Sequence, residues 1–306
     1  MSRRVCAIDI GSNAIRMMIA DVSPQQEHFH IVKKYRAAVR LGHDAFTLKS
    51  FTPQTIELAL EAFRRFAKTN RDLQVKEVRA VATSACRESR NSQVLVDRVY
   101  TESGIKIEII DGLEEGRLIH QAVQHELELK NKTSMLIDIG GGSVEVTFSQ
   151  GDQILSSKSF PMGTVRVLEN LQKRNLTEAH MNILIGEFLP ELTKHIHRTT
   201  EETAPDFAVG TGGNIECLGQ LKEQLLKRSP STFLTLAELS QIIDILKSTR
   251  LKDRIEKLRL RPDRADVIIP ASTLVQTIMR QAETEKILIP KVGLRDGLIW
   301  AMAATI

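Results

Sequence analysis

Cysteine is scarce in this sequence: Cys6, Cys86 and Cys217 are three, odd in number and far apart. Such spacing excludes a disulfide framework and the usual zinc-ligand patterns. A reducing, cytoplasmic setting is expected, with the three thiols as small core residues. Aromatic residues make up only 4% of the chain, too few for a base-stacking platform on single-stranded nucleic acid. The net charge of +4 is too slight to argue for nucleic acid, though it suits a small polyanionic substrate. No apolar run approaches the ~20 residues that span a bilayer, so no membrane partner is expected. Arg3 and Arg4 precede only a short apolar run before Asp9, too short for a signal peptide. No Walker lysine motif occurs, and no glycine loop has dinucleotide spacing.

What is present is a globular composition, 42% hydrophobic and 26% charged, over 306 residues. That length favours two domains. One stretch dominates: Leu136-Ile137-Asp138-Ile139, then Gly140-Gly141-Gly142-Ser143, then Val144-Glu145-Val146-Thr147-Phe148. An apolar strand ends in an acid, turns through glycines, and returns as a strand. Adjacent glycines let a ligand approach the main chain, and their N–H groups can form an anion nest. Asp138 and Glu145 supply hard oxygen ligands for a cation such as Mg2+. The plainer alternative is a hairpin whose glycines serve only its geometry.

The pattern occurs twice. Ile8-Asp9-Ile10-Gly11 matches Ile137-Asp138-Ile139-Gly140, and each copy sits between apolar strands. Two similar lobes facing one cleft are therefore expected. Asp9 joins Asp138 and Glu145 as a metal candidate, and Gly11, Ser12 and Asn13 offer donors to a second phosphate. Arg16 points either to that cleft or to solvent.

Along the chain, residues 29–41 read as a basic strand. Thr52-Pro53 opens a helix whose apolar positions Ile56, Ala59, Leu60, Phe63 and Phe66 recur on one face. Residues 78–82 read as a strand delivering Thr83-Ser84-Ala85-Cys86-Arg87, where Arg87 is either a phosphate clamp or a surface ion pair. Asn91 or Ser92 should cap the next helix, and residues 105–110 form another strand. Glu114 and Glu115 then open a helix; they serve either the helix dipole or, one of them, as a general base. A polar stretch, 126–132, reads as a linker. Thr177 should start a long helix with His195 and His197 on its surface. Thr235 and Glu238 form a capping box. The run from Arg250 to Arg264 is either a solvated face or a basic wall for a phosphate chain.

Taken together, these motifs resemble the exopolyphosphatase and guanosine pentaphosphate phosphohydrolase (Ppx/GppA) phosphatase family. That family lies within the superfamily of actin, heat-shock chaperone ATPases and sugar kinases. The resemblance rests on Asp9 through Asn13, Ala82 through Ala85 with Arg87 and Asn91, Gly112 with Glu114 through Ile119, and Asp138 through Glu145. Met162-Gly163 with Arg166, Gly210-Thr211-Gly212-Gly213, Asp263-Arg264 and Gly293 through Gly297 continue it in order. Gly116 departs from the family's usual alanine.

The resemblance implies an α/β fold of two ribonuclease-H-like lobes, mixed sheets flanked by helices, with the active site in the interdomain cleft. Domain I would cover 1–128, completed by a closing helix at 296–306, and domain II 129–295. Glu115 is implied as catalytic base. Asp138, Glu145 and Asp9 are implied for metal, Mg2+ or alternatively Mn2+. Gly11, Ser12, Asn13, Arg87, Gly140, Gly141, Gly142, Ser143, Gly212 and Arg264 are implied for phosphate or substrate. The expected activity is release of terminal phosphate from inorganic polyphosphate. The alternatives are guanosine pentaphosphate as substrate, or a non-catalytic binder of polyphosphate or nucleotide. A homodimer is compatible with this reading. Longer members carry further helical domains, so a short two-domain form is expected and processive action on long chains is not implied.

Overall fold

Strand β1 (Arg3–Ile10) turns into β2 (Ile15–Val22) along an unbroken antiparallel register from Arg3↔Val22 to Ile10↔Ile15. Its residues from Val5 to Ile10 are all buried, as a central strand requires. The computed structural model of the chain describes residues 2–23, 28–202 and 204–304. It divides into two compact units: unit 1 holds residues 1–126 and 292–306, and unit 2 holds 127–291. The closing helix expected at 296–306 runs as Leu294–Ala303, and Thr305 and Ile306 lie outside the described residues.

In unit 1, β3 (His30–Ala37), β4 (Glu77–Ala82) and β5 (Ile107–Ile109) complete a five-stranded sheet of order β3-β2-β1-β4-β5. The β1–β2 and β2–β3 pairs are antiparallel; β1–β4 and β4–β5 are parallel. Helices α1 (Leu41–Thr47), α2 (Pro53–Asp72), α3 (Ser84–Glu88), α4 (Ser92–Ser103) and α5 (Gly112–Glu126) follow their strands. Helix α2 starts where expected. The Thr55 N–H donates to Thr52 Oγ1 at 3.2 Å, and Ile56, Ala59, Leu60, Phe63 and Phe66 are buried along one face.

Unit 2 repeats the plan with β6 (Thr133–Ile139), β7 (Val144–Gln150), β8 (Gln153–Phe160), β9 (Phe207–Thr211), β10 (Phe233–Thr235) and β11 (Lys286–Leu288). Its order is β10-β11-β9-β6-β7-β8. Read from β8 to β11 it has the strand order and pair directions of unit 1, and β10 adds an antiparallel edge. Each unit is therefore a ribonuclease-H-like lobe, the fold class expected. Helices α6 (Thr164–Lys173), α7 (Met181–Gly186), α8 (Leu189–Glu202), α9 (Gly213–Leu226), α10 (Leu236–Ser248), α11 (Leu251–Glu256), α12 (Pro262–Ala265) and α13 (Ile268–Gln281) accompany this sheet. Among the described residues, no helix is long and apolar enough to cross a membrane.

Several local expectations are corrected. The strand expected over 29–41 ends at Ala37, and Leu41 begins α1, whose buried Leu41, Ala45 and Phe46 demand a helical turn. The strand at 105–110 keeps only Ile107–Ile109. Asn91 does not cap α4; its side chain pairs with both main-chain polar groups of Phe51, at 2.8 and 2.9 Å. The long helix from Thr177 is broken into a 3-10 turn, α7 and α8, interrupted after Gly186, and Ile183 is exposed. His195 is not a surface residue. Its Nε2 lies 3.2 Å from the Val146 carbonyl, and its ring packs between Phe148 and Phe160.

Candidate active site

In unit 2 the acid-tipped hairpin places Asp138 directly opposite Glu145. Both are buried, and each offers a carboxylate oxygen within 4.8 Å of the other's. Thr211, at the end of the neighbouring β9, donates its hydroxyl to Asp138 Oδ1 at 2.5 Å. Ser159 on β8 donates to Glu145 Oε1 at 2.7 Å. Strands on either side thus orient the two acids by charge-assisted hydrogen bonds. Two opposed hard-oxygen ligands, each oriented by a hydroxyl, fit a cation such as Mg2+.

The glycine turn between them is held from behind. Gly140 N–H closes the hairpin on Ser143 O at 3.1 Å. The first amides of α6 then bond back to it: Thr164 to Gly140 O, and Val165 and Arg166 to Gly141 O. Arg166 is itself buried and donates from Nε to Gly142 O at 2.7 Å. A Cβ on Gly163 would overlap the Gly142 and Ser143 main chain, which is why glycine stands there. The loop's carbonyls are therefore occupied. Among the described residues, the N–H groups of Gly141, Gly142 and Ser143 donate no hydrogen bond. Consecutive unbonded amides beside two acids form a cradle for an anion that carries a cation.

The third glycine turn adjoins this hairpin. Gly212 has φ of +93°, and a Cβ there would stand 2.9 Å from Ile139 O and 3.3 Å from Asp138 Oδ1. Arg264 reaches the same turn from α12, donating from Nη1 to Gly213 O. Unit 2 thus brings together Asp138, Glu145, Gly140 through Ser143, Gly212 and Arg264.

Unit 1 has a parallel arrangement. Asp9 faces Arg16 across the hairpin, with Arg16 Nη1 at 3.5 Å from Asp9 Oδ2. Gly11 N–H closes the turn on Ala14 O at 3.2 Å. Ser12 Oγ lies 3.0 Å from Ser84 Oγ on α3, and Arg40 Nε donates to Asn13 Oδ1 at 2.9 Å. Gly42 N–H on α1 donates to Ser12 O at 2.8 Å, and a Cβ on Gly42 would stand 2.9 Å from Ser12 Cβ.

The two glutamates of α5 are separated by their surroundings. Glu114 is spent on the surface, bidentate with Arg117 at 2.7 and 2.8 Å, and that guanidinium lowers its carboxyl below the ordinary range. Glu115 is buried, 7% exposed. Arg87 Nη1 lies 3.4 Å from Glu115 Oε2 and donates to the Ile110 carbonyl at 2.8 Å. Arg87 therefore orients Glu115, a role that neither the clamp nor the surface-pair reading included. Thr211, Ser159 and Arg166 were not singled out as holding the acids and the loop. Thr211 and Arg166 stand inside the quoted motifs, whereas Ser159 carries no signal in the sequence.

Two ribonuclease-H-like lobes, each with an acid-tipped hairpin, give the fold class. The chain belongs to the Ppx/GppA phosphatase family, whose model matches residues 18–305. That is a family of hydrolases acting on phosphoric anhydrides. Exopolyphosphatase 1 of Mycobacterium tuberculosis is 26% identical over 300 residues, covering 97% of this chain and 87% of that protein. The guanosine-5'-triphosphate,3'-diphosphate pyrophosphatase of Aliivibrio fischeri is 26% identical over 306 residues; the chain spans 60% of its length. The crystal structure of an exopolyphosphatase from Cytophaga hutchinsonii superposes with a TM-score of 0.89 at 26% identity, over 99% of each chain.

Proposed function

We propose that the protein is an exopolyphosphatase that releases orthophosphate from the end of inorganic polyphosphate. One observation carries the reading: the unbonded amides of Gly141, Gly142 and Ser143 stand beside the opposed carboxylates Asp138 and Glu145. A divalent cation, Mg2+ or Mn2+, would be held by Asp138 and Glu145, with Asp9 as a further candidate. When bound, it would neutralise charge on the phosphate oxygens.

The chain's own groups do the rest. The amides and the Ser143 hydroxyl hold the terminal phosphate, with Gly212 and Arg264 as further contacts. Gly11, Ser12 and Asn13 take a second phosphate. Glu115, steadied by Arg87, orients a water molecule in line with the bridging oxygen and takes its proton. The P–O bond to the bridging oxygen breaks, and that oxygen stays with the shortened chain. Positioning and charge neutralisation supply most of such a phosphoryl transfer. Glu115 belongs to unit 1 and the glycine cradle to unit 2.

Glu115→Gln tests it: phosphate release from polyphosphate should fall by roughly 10²–10⁴-fold while affinity persists. Near-normal turnover would remove Glu115 from the mechanism. The match of 99% of this chain to 60% of a guanosine-5'-triphosphate,3'-diphosphate pyrophosphatase favours a second reading with the same chemistry. Initial rates on polyphosphate and on that nucleotide, measured side by side, separate the two. A non-catalytic binder would instead hold either ligand and release no phosphate with Mg2+ present.

A further inference from the structure

Strand β5 (Ile107–Ile109) closes one edge of the unit 1 sheet, and no strand among the described residues covers its outer side. Ile110 donates its N–H to Ala82 O at 3.0 Å, and Glu108 stands opposite Val81. Main-chain polar groups alternate sides along a strand. Glu108 therefore turns its own toward β4, while Ile107 and Ile109 turn theirs outward. An open edge of this kind is a template for another strand.

Beside the edge, between α4 and β5, lies a groove of about 550 Å³ lined by Val96 and Tyr100 from the helix and Ile107 and Ile109 from the strand, among others. Tyr100 is 60% exposed and Ile109 38%. Apolar side chains thus stand uncovered next to unpaired main-chain groups, which marks a place for association. Two exposed charges of opposite sign, Lys106 and Glu108, flank Ile107. An unrelated strand would meet both without their complements.

We infer that this edge binds a second copy of the chain, β5 pairing antiparallel with its counterpart about a two-fold axis at Ile107. Charge selects both the partner and the register. With the axis at Ile107, Lys106 of each copy opposes Glu108 of the other, and the symmetry makes that contact twice. These are non-hydrogen-bonded positions, where Cα atoms stand about 4.5 Å apart and side chains come closest. The two Ile107 residues exchange both of their outward main-chain bonds. An axis at Lys106 or at Glu108 would oppose like charges. One at Ile109 would set Glu108 against apolar Ile110, and one at Ile105 would set Lys106 against Gly104. An axis perpendicular to the sheet keeps α4 of both copies on one face, so Tyr100 and Ile109 gain cover from the other copy. The inference holds whichever anhydride the protein cleaves.

Sedimentation equilibrium from about 1 µM to about 1 mM in low salt tests it on the wild type, Lys106→Glu, Glu108→Lys and the double exchange Lys106→Glu/Glu108→Lys. The wild type should dimerise. Each single exchange opposes like charges at both symmetric positions and should raise the dimer Kd about ten-fold or more. The double exchange should return to near the wild-type value. An equimolar mixture of the two single variants should dimerise where neither does alone. Glu108→Lys gives up an exposed pair with Arg79 at 3.4 Å, and rescue by mixing shows that it has folded. Lys106 makes no ion pair among the described residues, so Lys106→Glu decides the register by itself if the other variants unfold. A wild type that stays monomeric over this range, with or without a strand peptide captured at the edge, overturns the interface. So does a Lys106→Glu protein that associates as tightly as the wild type.

Discussion

Replacing Gly163 by alanine probes the cradle without touching a polar group. Gly163 has φ of −69° and ψ of 163°, angles open to any residue, so backbone strain plays no part. The added methyl is the whole perturbation. It would fall inside 3.0 Å of Gly142 C, Gly142 N and Ser143 N, all main-chain atoms with no flexible end to give way. Comfortable separation is about 3.5–4 Å, so the loop must retreat by roughly 1 Å. Overpacking of this kind costs about 1–3 kcal/mol. The loss of chain entropy in the unfolded state offsets about 0.4–1 kcal/mol of that.

The melting temperature should therefore drop by only about 2–8 °C. Turnover should suffer more, since a ~1 Å misplacement in a site can cost about 10²-fold. Phosphate release and thermal unfolding are measured on the same preparation. Gly186→Ala is the control, because nothing lies within 4 Å of its would-be Cβ. A Gly163→Ala protein that melts lower yet turns over at the wild-type rate would refute the loop's part in holding phosphate.

Three further outcomes are expected. Thr211→Val removes the hydroxyl that orients Asp138 and should weaken divalent-cation affinity about 10–100-fold, read by Mg2+ or Mn2+ titration; an unchanged midpoint contradicts it. Burial pushes the Cys6 and Cys86 thiols up to about 12 and raises Cys217 as well, so the native protein should resist alkylation near pH ~8, whereas all three should react in denaturant. Burial lowers the His195 imidazole, opposed by the Val146 carbonyl and aided by Lys158. The unfolded chain then takes up a proton below about pH 6.5 that the folded chain refuses, and stability falls as pH drops through that value. His125, lowered by burial and by His28, acts in the same direction, so His195→Gln should flatten part of the slope of denaturant midpoint against pH.

How far the sequence disclosed this site depended on the range of the interaction involved. The twin hairpins were legible because apolar strand, acid and glycine lie within a few consecutive residues, and the shared lobe topology follows from them. The capping box was legible for the same reason: Thr235 and Glu238 exchange their bonds at 3.0 and 3.2 Å. Partners distant in sequence were not. Nothing near Ser159 signals Glu145, and Arg254 looked like one more surface cation until α10 and α12 closed around it. It is 3% exposed and donates to Leu246 O and Ala265 O, both at 3.2 Å. His195 was disguised by its neighbours Lys194 and Arg198, which face solvent while the imidazole turns inward onto two phenylalanine rings. Arg87 stood out in the sequence, but its partner Glu115 follows only from the meeting of α3 and α5.

In the proposed reaction a carboxylate-activated water cleaves a terminal phosphoric anhydride held in the glycine cradle. Its most direct test is phosphate release from polyphosphate in oxygen-isotope-labelled water, with Mg2+ and with chelator, for the wild type and for Glu115→Gln. Mg2+-dependent orthophosphate carrying a solvent oxygen is expected from the wild type, and almost none from the variant. Absence of release from both polyphosphate and guanosine pentaphosphate with Mg2+ or Mn2+, or equal release by the two proteins, would contradict it.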